Sequence, residues 1–146
     1  MQASQAAFDI IQEFEGWRLT PYLDTAGLPT VGWGHRLLGM SAATISQAYA
    51  NALLAQDVAY VAATLTRELG ATQLRQCQFD ALVSLGYNVG ANIQAVAPHL
   101  WVGVMSHAAP INVANCFLDI VHDAKGVVQP GLVRRRQAEV RLFLSA

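Results

Sequence analysis

Charge and cysteine are both scarce in this chain, and each scarcity closes off a class of function. Charged residues make up 13% of the sequence and the formal net charge is −1, so no overall field steers the molecule toward a polyanion. No DNA- or RNA-binding motif accompanies its few basic residues, so no nucleic-acid partner is expected. The two cysteines, Cys77 and Cys116, have no metal-ligand spacing. They read as small buried thiols, with a disulfide as the alternative that a reducing compartment disfavours. Neither a metal site nor a cofactor is expected. The hydrophobic fraction of 53% would suit a membrane protein, yet much of it is alanine, and no run reaches the ~18 apolar residues of a spanning helix. Stable membrane insertion is not expected. The stretch Met1 to Phe8 lacks the basic start and apolar core of a signal peptide. A soluble monomer made in the cytoplasm is the expectation.

What the chain does contain is helical periodicity around one short non-helical stretch. Its 146 residues suit a single domain that buries roughly 70% of its unfolded surface. Ser4 is a good N-cap for a first helix ending near Glu15, with Phe8, Ile11 and Glu15 on one face and Gly16 placed to stop it. Leu19 to Leu23 and Thr30 to Gly34 read as extended segments joined by the turn Asp24-Thr25-Ala26-Gly27, a small β-hairpin sheet. Thr44 and Gln47 form a capping box for a long helix. Its apolar stripe runs Leu54, Val58, Val61, Leu65, Leu69, and Gly70 closes it.

Shorter helices should follow. One holds Phe79, Leu82, Gly86 and Val89. One runs from Pro98 to near Ser106. One starts near Pro110 and carries Val113, Phe117 and Ile120. The last starts near Leu132, after a loop at 126–131. The expected class is α+β and predominantly α-helical. An α+β lobe (1–43) is followed by a connecting helix (44–69) and a helical lobe (70–146), and a cleft between lobes suits a polymer.

Chemistry concentrates in the first 35 residues. Glu15 aligns with Phe8 and Ile11, so it should be half-buried at the negative end of a helix. Both effects favour a carboxyl that keeps its proton, the state a general acid needs. The competing reading is a surface glutamate at a helix end. Asp24 opens a turn, where amides and water stabilise an anion; it is either a base or simply a turn residue. The Thr30 hydroxyl is placed to hold a water beside Asp24, unless Thr30 is there only as a good strand former. Tyr22 and Trp33 suit either sugar stacking or the core, and Gly32 and Gly34 allow close approach of a ligand. Trp17 and Trp101 read as packing residues. His35 reads as a structural histidine bonded to a carboxylate. Arg135 has two readings, a local pair with Glu139 four residues on or a contact with Glu15 across the cleft.

Taken together, Phe14-Glu15-Gly16, Tyr22-Leu23-Asp24, Gly27, Thr30 and Gly32-Trp33-Gly34-His35 resemble the N-terminal motif of the phage-type lysozymes, glycoside hydrolase family 24. The similarity continues in Gln78 to Ser84, Asn88-Val89-Gly90, Gly131-Leu132, Arg135-Arg136 and Glu139. The resemblance implies a lysozyme-like two-lobe fold and a muramidase that cuts the β-1,4 bond between N-acetylmuramic acid and N-acetylglucosamine in peptidoglycan, with inversion. It implies Glu15 as general acid, with Asp24 and Thr30 directing water. Tyr22, Gly32, Trp33 and Arg135 would serve substrate binding, and His35 would be structural. Such an endolysin waits in the host cytoplasm until released to the wall. A lytic transglycosylase and a non-catalytic wall-binding protein are the alternatives. With so little net charge, affinity for an anionic wall is expected to rest on the C-terminal patch of Arg134, Arg135, Arg136 and Arg141.

Overall fold

The computed structural model describes residues 1–24, 26–39 and 43–146. Thr25, one residue of the expected turn, lies outside the described residues. Among them are seven helices and a three-stranded antiparallel sheet in the order β1-β2-β3. The elements are α1 (Gln5–Glu15), β1 (Arg18–Leu23), β2 (Pro29–Gly32), β3 (His35–Arg36), α2 (Gln47–Leu69), α3 (Gln76–Val89), α4 (Ile93–Val96), α5 (Pro98–Met105), α6 (Pro110–Phe117) and α7 (Pro130–Leu144).

The body is built round α3. From Gln78 to Gly86 every residue of α3 is buried, the condition of a helix surrounded on all faces. It packs against α7, α1 and α2. A Cβ added at Gly86 would lie 2.9 Å from Val61 Cγ1, so the crossing of α2 and α3 depends on a residue without a side chain. Asp80, also buried in α3, accepts from the Ser4 amide (2.8 Å), the Ser4 hydroxyl (2.5 Å) and Gln76 Nε2 (2.9 Å). Ser4 in turn caps α1 through Ala6 N. The start of α1 is therefore tied to the central helix through hydrogen bonds to a charged group, the stronger kind. Helix α1 also packs on α7, which sets its C-terminal end against the helical body.

Several boundaries differ from expectation for identifiable reasons. The sheet is a three-stranded meander instead of a hairpin, because the chain turns back at Trp33-Gly34 and adds His35–Arg36. The long helix starts at Gln47 with Ser46 as its cap, accepting from Tyr49 N at 3.1 Å. Thr44 is instead 3.2 Å from the Thr20 hydroxyl of β1. The one-turn helix α4 was too short to show a period. Ile120 lies beyond α6, which ends at Phe117. Pro130, at the first position of α7, starts that helix two residues early, where a missing N–H costs nothing. Cys77 and Cys116 are free and only half-buried. No helix among the described residues is long and apolar enough to cross a membrane.

Candidate active site

Three elements of different kind deliver the site. Glu15 is the last residue of α1; Gly16 follows with φ +60° and halts the helix there. Asp24 follows β1 in a turn closed by Gly27 N to Asp24 O and by Asp24 N to Leu28 O, both 2.9 Å. Its Oδ1 accepts from Ala26 N and Leu28 N, 2.8 Å each. That arrangement occupies one carboxylate oxygen and leaves Oδ2 without a partner among the described residues.

Thr30 lies on β2, buried, and its hydroxyl donates to Leu28 O at 2.9 Å. With its hydrogen committed, the Thr30 oxygen presents lone pairs to whatever approaches. The sheet register sets Tyr22 opposite Thr30 and Thr30 opposite Arg36. Directly opposed residues share a sheet face, so these three form one row. Glu15, Asp24 and this row line one cavity of about 290 Å³, closed on the far side by Gly34, Tyr87 and Asn88.

Two further cavities continue it. One of about 450 Å³ shares Glu15 and Asn88 and extends to Arg134 and Arg135 of α7 and to Gln129, Gly131 and Leu132. Another of about 370 Å³ shares Gly34, Arg36, Tyr87 and Asn88 and extends to His35, Asp57 and Tyr60. Asn88 lines all three. The result is an extended groove with Glu15 and Asp24 in its middle section.

Arg135 makes both contacts that the sequence offered as alternatives. Its Nη1 is 2.5 Å from Glu15 Oε1, its Nε 3.2 Å from Glu139 Oε1, and its Nη2 donates to Ser84 O at 3.2 Å. Glu139 is wholly buried, also accepts from the Ser84 hydroxyl at 2.7 Å, and stands 3.1 Å from Arg136 Nε. Arg136, equally buried, reaches Asn88 Oδ1 at 2.5 Å. One interior carboxylate thus anchors two guanidiniums, whose far ends hold Glu15 and Asn88 at the groove. Burial raises the Glu139 carboxyl, opposed by the charges of Arg136 and Arg135 and by the Ser84 bond. Burial likewise lowers Arg136 to about 10, which leaves it cationic at neutral pH.

With Arg135 and Arg136 in the interior, the expected C-terminal basic patch is reduced to Arg134 and Arg141 at the surface.

The other expected site residues divide. Tyr22 lines the cavity, with the Arg18 guanidinium 4.7 Å over its ring. Its hydroxyl is raised, by burial first and then by Glu15. Gly32 is buried against Ala50 of α2 (3.3 Å to a Cβ built on it) and does not line the groove. Trp33 also falls outside it. Its Nε1 bonds Asn51 Oδ1 at 2.9 Å and its ring is tilted on Trp17, centroids 6.0 Å apart. Trp17, expected in the packing, keeps 46% of its surface exposed; Trp101 is buried. Gly34 is the glycine that faces the site: its φ is +94°, and a Cβ there would lie 3.3 Å from Glu15 Oε2. His35 is held by Asp57, Nδ1 to the two carboxylate oxygens at 2.9 and 3.1 Å.

Sequence reasoning passed over Tyr87, Asn88 and Arg36 as site residues. Tyr87 donates to Trp33 O at 2.8 Å and fixes the turn that carries Gly34. Its hydroxyl is pushed far up, by burial first and then by Asp57 and Glu15. An Asn at the end of a helix so apolar was the available signal for the groove wall.

Comparison with known proteins identifies the family. Residues 12–139 match the family model described as phage lysozyme. The endolysin of Lactococcus phage c2 is 38% identical over 98% of this chain, which spans only 60% of that protein's length. The endolysin of Acyrthosiphon pisum secondary endosymbiont phage 1 is 34% identical over the full length of both. Among solved structures, the muramidase domain of SpmX from Asticaccaulis excentricus superposes with a TM-score of 0.87 at 28% identity, covering 99% of each chain. With a site of this architecture and a family match over most of its length, the chain belongs to the phage lysozyme family.

Proposed function

We propose that the chain is a peptidoglycan muramidase, acting at the cell wall on the β-1,4 bond between N-acetylmuramic acid and N-acetylglucosamine. The observation that carries this is the convergence of Glu15, Asp24 and Thr30 on one cavity in the middle of an extended groove. Endolysin and muramidase are the names of the similar proteins, and they point to the same chemistry.

The reading assigns an inverting acid/base division of labour to the two carboxyls. Glu15 is the general acid. Arg135 holds Oε1, so Oε2, beside Gly34, is the oxygen that delivers the proton to the leaving glycosidic oxygen. Asp24 and Thr30 hold the water. One water hydrogen goes to Asp24 Oδ2, the oxygen without a partner among the described residues. The other goes to Thr30 Oγ1, whose own hydrogen is committed to Leu28 O. Both water hydrogens being engaged, the water's lone pair points toward the anomeric carbon, and Asp24 accepts the proton as the bond forms. Tyr22 lines the same cavity as a sugar-facing wall.

The test is wall digestion by Glu15→Gln, which keeps shape and removes the acid. We expect clearance of purified sacculi to fall by 10³-fold or so, since the acid's share of such catalysis is about 10²–10⁴; clearance at the wild-type rate would end the proposal. Mass spectrometry of the products should show reducing muramic acid ends. Anhydro ends, together with an Asp24→Asn variant that keeps its activity, would mark a transglycosylase instead.

A further inference from the structure

We propose that Arg36 anchors a substrate carboxylate, making the cavity beyond the catalytic section an acid-recognising subsite for the side groups of the glycan strand. The inference rests on the muramidase reading for its substrate and on the groove for its geometry. Arg36 lines both the catalytic cavity and the adjoining one toward Tyr60. The strand register places it in the row with Tyr22 and Thr30, so it is held at the junction by the sheet. Its side chain is exposed, with no ion-pair or hydrogen-bond partner among the described residues.

Arg36 shares the catalytic cavity with Glu15, which Arg135 holds, and with Asp24, whose Oδ1 is held by the Ala26 and Leu28 amides. Asp57, the carboxylate of this cavity, is bonded by His35. Arg18 lies over the Tyr22 ring. At the opposite end of the groove Arg134 and Glu13 line one cavity with the paired Glu15 and Arg135. On the side toward Tyr60, Arg36 is a guanidinium with no ion-pair partner among the described residues. A guanidinium in such a place is suited to a carboxylate, which it binds with two parallel hydrogen bonds. Tyr60, 69% exposed on the same cavity wall, supplies an apolar face for the atoms carrying that carboxylate. On a peptidoglycan strand, carboxylates occur on the stem peptides and, where a peptide has been removed, on the lactyl group of muramic acid.

The experiment compares native sacculi with sacculi whose carboxyls are capped as methylamides, and adds strands stripped of peptide by an amidase, which carry only lactyl carboxylates. For Arg36→Gln we expect KM on native wall to rise about tenfold, the contribution of a charge-assisted hydrogen bond, with kcat little changed. The variant should not distinguish native from capped wall, whereas the wild type should. Arg36→Lys should recover part of the difference. Arg141→Gln, an equal loss of charge on the exposed surface outside the three cavities, should show none. A tenfold effect that survives on stripped strands assigns the lactyl group; one that disappears there assigns the peptide.

The assignment is overturned if Arg36→Gln loses activity equally on native and capped wall, or loses none. Binding of the Glu15→Gln protein to native and capped sacculi by cosedimentation, with and without Arg36→Gln, gives the same comparison without cleavage. Should the wild type release no reducing ends at all, the muramidase reading falls while the binding comparison still decides the role of Arg36.

Discussion

Gly34→Ala separates the positioning of Glu15 from the stability of the fold. The added methyl would sit 3.3 Å from Glu15 Oε2 and 3.9 Å from its Cδ, on a backbone with φ +94°. The backbone cost of a side chain in that region is about 1–2 kcal/mol, and in a chain this size each kcal/mol lowers Tm by about 2–4 °C. A fall of roughly 2–8 °C follows. The contact acts separately. The carboxylate has to yield by a few tenths of an ångström, and it is not free to swing, because Arg135 holds Oε1. A displacement of 1 Å at a reacting group costs up to about 10²-fold, so kcat should drop about tenfold with KM nearly constant. Gly70→Ala provides the comparison. Gly70 also has a positive φ, +55°, but a Cβ there meets nothing within 4 Å, and it ends α2 away from the groove. It should lose a similar Tm and keep kcat. Melting curves by circular dichroism and initial rates on purified sacculi measure the two quantities. Equal activity in both variants would refute the claim that Gly34 makes room for the catalytic carboxyl.

Other changes test the supports behind the site. Glu139→Ala leaves the buried Arg136 without a carboxylate and takes one of two from Arg135, and should cost about 3–5 kcal/mol in urea unfolding. Gly86→Ala pushes a methyl against Val61, 2.9 Å away, and should cost about 1–3 kcal/mol by the same measurement while leaving the groove's polar contacts in place. Tyr87→Phe removes the bond to Trp33 O and should cost about 1–2 kcal/mol at neutral pH. Because the Tyr87 hydroxyl is raised in the folded state, its contribution is complete below the unfolded value near 10 and is lost as pH rises above it; the phenylalanine variant should therefore show a shallower alkaline fall in Tm. Asp123 is lowered, first by the Val127 amide and then by that of Lys125. Its stabilisation is present above the unfolded value near 3.8 and lost as pH falls through the folded one, so Asp123→Asn should flatten the acid limb of Tm below that unfolded value.

What the sequence could and could not say about this site follows from the range of the interactions. Glu15 at a helix end, Asp24 in a turn and Thr30 on a strand are each written within a few residues, in a cap glycine, an Asx turn and a β-branched residue, and the structure brings all three to one cavity. The C-terminal arginines misled because a cluster of like charges reads as surface. Their burial depends on Glu139 beside them in α7, and also on Ser84, Asn88 and Glu15, between 48 and 120 residues away. No local pattern encodes partners at that distance, and here the partner set turns what looks like a wall-binding patch into an internal scaffold. The reverse applies to Arg36. Alone beside a histidine it has no pattern, yet the third strand of the sheet, too short to be seen in the sequence, places it in register with Thr30. On the subsite proposed above, the charge offered to an acidic polymer sits at the sheet, where strand pairing sets it beside Thr30. Along α7 the same type of residue is spent on holding Glu15 and Asn88 still.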